Sequence, residues 1–167
     1  MRNVALILGC GNILFGDDGF GPKAAETLAS RKDIPPQVLV MDAGTGAREI
    51  LFDLVLDPER PGLLVIIDAL DCGLEPGRVF RLDPDAIPEN KRDDFSLHTL
   101  PASNLLKELR ESCGMRIEII ACQVARIPEK VEMGLSAPVL GAVDTACELA
   151  LETVNEFLGS AAPGKDR

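Results

Sequence analysis

Val4-Ala5-Leu6-Ile7-Leu8 runs directly into Gly9-Cys10-Gly11-Asn12-Ile13-Leu14-Phe15-Gly16-Asp17-Asp18-Gly19-Phe20-Gly21, and this junction decides how the chain folds. Val4–Leu8 is a short unbroken apolar run, the pattern of a strand covered on both faces. The glycines after it signal a turn. Phe20, Ala24 and Leu28 then recur at helical spacing, with Pro22 tolerable in a first turn. A phosphate-binding loop would offer bare backbone and a helix N-terminus. This turn offers two carboxylates instead, which repel phosphate and attract a cation.

The same alternation continues along the chain. Strands are predicted at Gln37–Met41, at Leu63-Leu64-Val65-Ile66-Ile67, at Gly77–Leu82 and at Arg116–Cys122. Arg78 and Arg81 suit the fourth of these to a sheet edge. Helices are predicted over 19–30, 46–56 and 99–112, and as one long amphipathic helix over 138–158. This order implies an α/β fold: a three-layer sandwich with a mostly parallel five-stranded twisted sheet and helices on both faces. Residues 1–158 form one domain, and 159–167 read as a frayed tail.

Composition narrows the function. The chain has 167 residues and a net charge of −10, which disfavours nucleic acid and anionic membranes as partners. Trp and Tyr are absent, so a base-stacking platform is not expected. No apolar run reaches the roughly 18–20 residues of a membrane span, and the start lacks a signal-peptide pattern. A cytoplasmic protein is the expectation. The five cysteines (Cys10, Cys72, Cys113, Cys122 and Cys147) lack CxxC spacing, against both a disulfide framework and a thiolate zinc site. His98 is the single histidine, so any imidazole chemistry falls to it.

In parallel sheets of this kind, ligands bind beyond the carboxyl ends of the strands. The predicted elements deliver Asp17 and Asp18 there after strand one, Asp42 after strand two, and Asp68 and Asp71 after strand three. A long loop over 83–97 ends at His98, beside a helix start. Asp18, Asp68 and His98 together offer two carboxylates and one imidazole, a donor set suited to divalent nickel, zinc, manganese or iron. A helix N-terminus favours the neutral, ligating form of imidazole.

Simpler readings stand beside this one. Asp17 or Asp18 could cap the helix, Asp17 the more readily. Asp68 could be a solvated strand end, and His98 a surface residue of a first turn. Gly9-Cys10-Gly11 lacks the third glycine of a dinucleotide fingerprint. Cys10 and Cys72 lie at predicted strand ends, which leaves a Cys–His hydrolase open. GxSxG does not occur. A phospho-acceptor domain also clusters aspartates, but strand five ends in Cys122-Gln123 without the lysine such a pocket needs.

Taken together, these residues resemble the maturation endopeptidases of nickel–iron hydrogenases, over nearly the whole span from Val4 to Val154. GCGNILFGDDGFG resembles the family's strand-loop-helix signature, whose second acidic residue, here Asp18, is a metal ligand. LVIIDAL resembles the second signature, with Asp68 as ligand, and SLHTL the third, with His98. MDAGTGAREIL and the stretch from Pro128 to Gly134-Leu135-Ser136 are similar to two further family segments. Asp stands at position 18 where Glu is frequent in the family, shortening the reach by one methylene. The Ala121-Cys122-Gln123 segment is similar to the deazaflavin-reducing hydrogenase branch of methanogens.

The resemblance implies a peptidase acting on the precursor of a [NiFe] hydrogenase large subunit. It would remove a C-terminal extension once nickel, carried by that substrate, is in place. Asp18, Asp68 and His98 would hold the nickel and serve catalysis, and Asp42, Gly44 and Gly46 would position the tail. The alternative is a nickel-dependent docking protein that uses the same ligands without cutting.

Overall fold

The computed structural model describes residues 4–86 and 102–161. His98 lies outside the described residues, as does the start of the helix predicted from residue 99. Five strands form one sheet: β1 (Ala5–Cys10), β2 (Val38–Gly44), β3 (Leu63–Leu70), β4 (Val79–Leu82) and β5 (Arg116–Gln123). Their order is β2-β1-β3-β5-β4. The first three pairings are parallel, and only β4 runs antiparallel to β5. This is the mostly parallel α/β sandwich that the alternation of patterns predicts.

Strand alternation sends side chains to two cores. Ala5, Ile7, Val65 and Ile67 pack under α1 (Phe20–Ala29) and α5 (Val143–Ala161). Leu6, Leu8, Leu64 and Ile66 pack under α2 (Ala47–Leu56) and α3 (Ala102–Glu111). Phe20 is fully buried at the start of α1, which contributes about 2–3 kcal/mol by transfer alone.

Several boundaries differ from the sequence reading, among them the end of β2, which runs on to Gly44 and so takes in Asp42. β3 runs on through Asp68 to Leu70, so Asp68 lies within the strand and not beyond it. The long last helix is two, a short α4 (Ala137–Leu140) and α5, separated at Gly141-Ala142. Glycine is a poor interior helix residue, and the chain bends there, with the Ala142 N–H donating to the Val139 carbonyl at 3.1 Å. α5 also reaches Ala161, past the expected end at Leu158.

Candidate active site

β1 pairs β2 on one side and β3 on the other. The chain therefore winds in opposite directions from β1 and β3, and the crevice between their carboxyl ends is the place such sheets use for ligands. Gly9 of β1 is level with Asp42 of β2 and with Ile67 of β3. Asp68 sits one residue further along β3, fully buried. By alternation it shares its face with Ile66 and Leu70, yet it is a carboxyl among alkyl groups. Its Oδ1 accepts the Ala69 N–H at 2.8 Å. The solvated strand end is thus excluded, because β3 is central and continues beyond it.

Glycines bring the helix onto this crevice. A Cβ on Gly21 would lie 2.1 Å from the Cys10 carbonyl oxygen and 2.4 Å from that of Ile67. A Cβ on Gly9 would meet the Gly21 carbonyl at 2.1 Å. The first turn of α1 therefore rests against the bare backbone of β1 and β3. The 3-10 turn Gly16–Gly19 that precedes it carries Asp18 to the same end of the sheet. Asp18 Oδ2 accepts the Asn12 N–H at 3.1 Å, and the Asp18 carbonyl lies against Gly11 so closely that no side chain fits there. The Gly11 N–H donates to the Gly44 carbonyl at 3.0 Å, which ties the Asp18 loop to the end of β2.

Asp42 is exposed, and its Oδ1 accepts the Gly44 N–H at 2.8 Å. This closes a small Asx turn. Gly44 adopts φ +50, where glycine carries no steric penalty. Gly46 precedes α2, its N–H donating to the Ala43 carbonyl at 2.8 Å. Asp18, Asp42 and Asp68 thus stand on three consecutive structural lines at one end of the sheet. Among the described residues, no group of three or more His, Cys, Asp or Glu side chains is arranged to hold a metal, and the third expected ligand, His98, is outside them.

Asp17 does not cap a helix. The 3-10 turn has Phe15 at its N-cap position and no side-chain cap, and α1 has none either. Asp17 is 1% exposed and accepts four hydrogen bonds from the far side of the chain. The donors are the N–H groups of Ala125 (2.8 Å), Arg126 (3.1 Å) and Ser136 (2.7 Å), and the Ser136 hydroxyl (2.9 Å). A buried carboxylate with this many donors is a clamp on the loop between β5 and α4. Asp17→Ala would remove the acceptor of all four part-buried bonds. The expected cost is about 3–5 kcal/mol, read as a melting point lower by about 10 °C; an unchanged melting curve would show that the clamp contributes nothing.

Gln123 is a second anchor that the sequence did not signal. It is buried at the end of β5. Its Oε1 accepts the N–H groups of Cys72 (2.8 Å) and Leu74 (3.1 Å), and its Nε2 donates to Asp71 Oδ1 at 3.0 Å. Asp71, placed with the carboxylates by the sequence reading, is thereby engaged in holding the loop after β3.

The matched family follows from the sequence as a whole. The sequence model of the hydrogenase maturation proteases matches residues 22–153. The chain belongs to this family. A putative hydrogenase maturation protease of Methanocaldococcus jannaschii is 37% identical over 153 residues, 90% of this chain and 96% of the relative. The coenzyme F420 hydrogenase subunit delta of Methanothermobacter thermautotrophicus is 35% identical, over 89% and 93%. The maturating endopeptidase HybD of Escherichia coli superposes with a TM-score of 0.72, at 30% identity over 94% of each chain. A [NiFe] hydrogenase maturation protease of Thermococcus kodakarensis also superposes with a TM-score of 0.72, at 27% identity over 90% and 91%.

For this protease, the thiol alternative loses support at Cys10. Cys10 faces the carboxylates, and its pKa is pushed well up by burial first, then by Asp68 and by Asp42. Burial and Asp17 push the Cys122 thiol up to about 12. Both shifts disfavour the thiolate, which is the nucleophilic form. Around Asp18 the protease also exposes apolar side chains: Ile13, Leu14, Val131, Met133 and Leu140. Backbone bonds fasten the two loops that carry most of them, Gly16 N–H to Glu132 O at 2.8 Å and Glu132 N–H to Leu14 O at 2.9 Å.

Proposed function

We propose that this protease removes the C-terminal extension of a nickel-loaded [NiFe] hydrogenase large-subunit precursor by one peptide-bond hydrolysis. The observation that supports the reading is the placement of Asp18 after β1, Asp68 near the end of β3 and Asp42 near the end of β2, all toward one end of the sheet, beside an exposed apolar surface suited to a protein substrate. Family membership supplies the reaction class.

Nickel belongs to the substrate in this reading. Asp18, Asp68 and His98 hold it, and carboxylate and imidazole donors suit that ion. Recognition of the metal restricts cutting to precursor that is already loaded. Asp42, Gly44 and Gly46 position the tail at the end of β2. One carboxylate of the Asp18–Asp68 pair takes a proton from the attacking water. The water oxygen adds to the scissile carbonyl carbon, the C–N bond breaks, and the leaving nitrogen receives the proton. All five cysteines are free, which supports a reducing compartment, the cytoplasm.

The test is to mix the purified protein with nickel-loaded and nickel-free precursor and follow the precursor's mass. Loss of a C-terminal peptide from the loaded form alone is the expected result. Cutting of both forms would remove the nickel gate, and binding without cutting would favour the docking-protein alternative.

A further inference from the structure

β2 is an edge strand: it pairs with β1 on one side, and no described strand covers the other. In a parallel ladder, alternate residues of an edge strand turn their N–H and C=O groups outward, a ready template for an added strand. Natural edges are commonly blunted by lysine, proline or a covering element. Val38–Gly44 contains neither residue. Beside it, between the strand and α2, runs an open groove of about 510 Å³. Leu39, Met41 and Ile50 line its apolar floor, and Leu39 is 38% exposed. Asp53, Asp57 and Glu59 line the same groove and are exposed.

The occupant is fixed by three features. The outward backbone calls for an extended chain, the floor for alternate apolar side chains, and the rim for positive charge. The protein as a whole carries −10, so the local field of the rim is reinforced and not cancelled. The carboxyl end of β2 is where Asp42 and Gly44 stand, at the candidate site. A chain leaving that site along the edge runs antiparallel to β2.

We infer that the β2 edge and its acid-rimmed groove are the docking track for a basic, extended peptide, the precursor's C-terminal extension downstream of the scissile bond, which adds as a sixth strand. This rests on the peptidase reading above. It adds where the released peptide lies and what composition it needs: cationic side chains toward the rim, with apolar ones between them, at about 3.3 Å per residue along the strand.

The decisive variant is Asp53→Lys/Asp57→Lys/Glu59→Lys in the full chain. All three positions are exposed, and new lysines in the last turn of α2 and just past it suit its dipole, so the variant folds. With nickel-loaded precursor, KM is expected to rise about tenfold with kcat held, from several rim pairs lost together. Raising salt is expected to raise KM for the wild type and to have little effect on the variant. Unchanged KM in the variant, while the wild type still cuts, would overturn the track and leave the peptidase reading intact. No cutting by the wild type would instead remove the reading beneath it. A wild-type dimer in sedimentation that dissociates on these substitutions would also overturn the proposal, since a second copy would then own the edge.

Discussion

Asp68→Asn is expected to lower the rate of precursor processing about a thousandfold while leaving the fold in place. The side chain is fully buried in the central strand β3, so its replacement must be nearly isosteric to be informative. Asparagine keeps the size and, through its own Oδ1, the bond now made to the Ala69 N–H at 2.8 Å. What it removes is the negative charge and the capacity to take a proton or bind a cation strongly. His98→Ala is the companion variant, and both lose activity if the two residues share one site. Mass spectrometry of nickel-loaded precursor gives the rate, and thermal melting shows that the fold is intact. Wild-type processing by folded Asp68→Asn would remove Asp68 from the chemistry and require another carboxylate in its place.

The second large effect is on the scaffold. Gly21→Ala is expected to destabilise the protein by about 3 kcal/mol and to lower processing with it. The new methyl would lie 2.1 Å from Cys10 O, 2.5 Å from Cys10 N and 2.4 Å from Ile67 O. All three are backbone atoms of paired strands, with no side chain free to swing away. Relief can only come from lifting α1 off the sheet, and Asp18 moves with it because its turn leads directly into that helix. Gly159→Ala is the control. It lies in α5 with nothing within 4 Å of the added carbon, so alanine there is expected to be neutral or stabilising by about 0.5–1 kcal/mol. Differential scanning of the two variants separates contact from propensity. Equal melting points for both would mean that the close approach of α1 is not required.

The two predictions draw on different levels of the chain. Asp68 stands out in the sequence, since an acid inside Leu63–Leu70 interrupts an otherwise apolar run. The sequence reading ended the strand at Ile67 and placed Asp68 just beyond it, with a solvated strand end as the simpler alternative. The structure buries it: β5 pairs with β3 through Leu70, and β1 pairs with it as far as Ile67. Gly21 gives no comparable signal. A glycine in the first turn of a helix is unremarkable until the opposing backbone is known.

Local pattern alone determined the strands, most of the helices and the side of the sheet at which the aspartates gather. Apolar runs and helical spacing report burial directly, and burial period fixes element type. The mostly parallel sheet followed from their alternation; the strand order that sets β1 beside β3 came from the fold. Tertiary structure alone decided what each carboxylate does. Asp17 and Asp18 are adjacent and chemically identical, yet Asp17 is spent on donors 108, 109 and 119 residues away, while Asp18 accepts a bond within its own loop. No spacing rule reaches that far. The role of a side chain is set by whichever segment folds against it, and here that segment is the loop between β5 and α4, which arrives only when the sheet is complete.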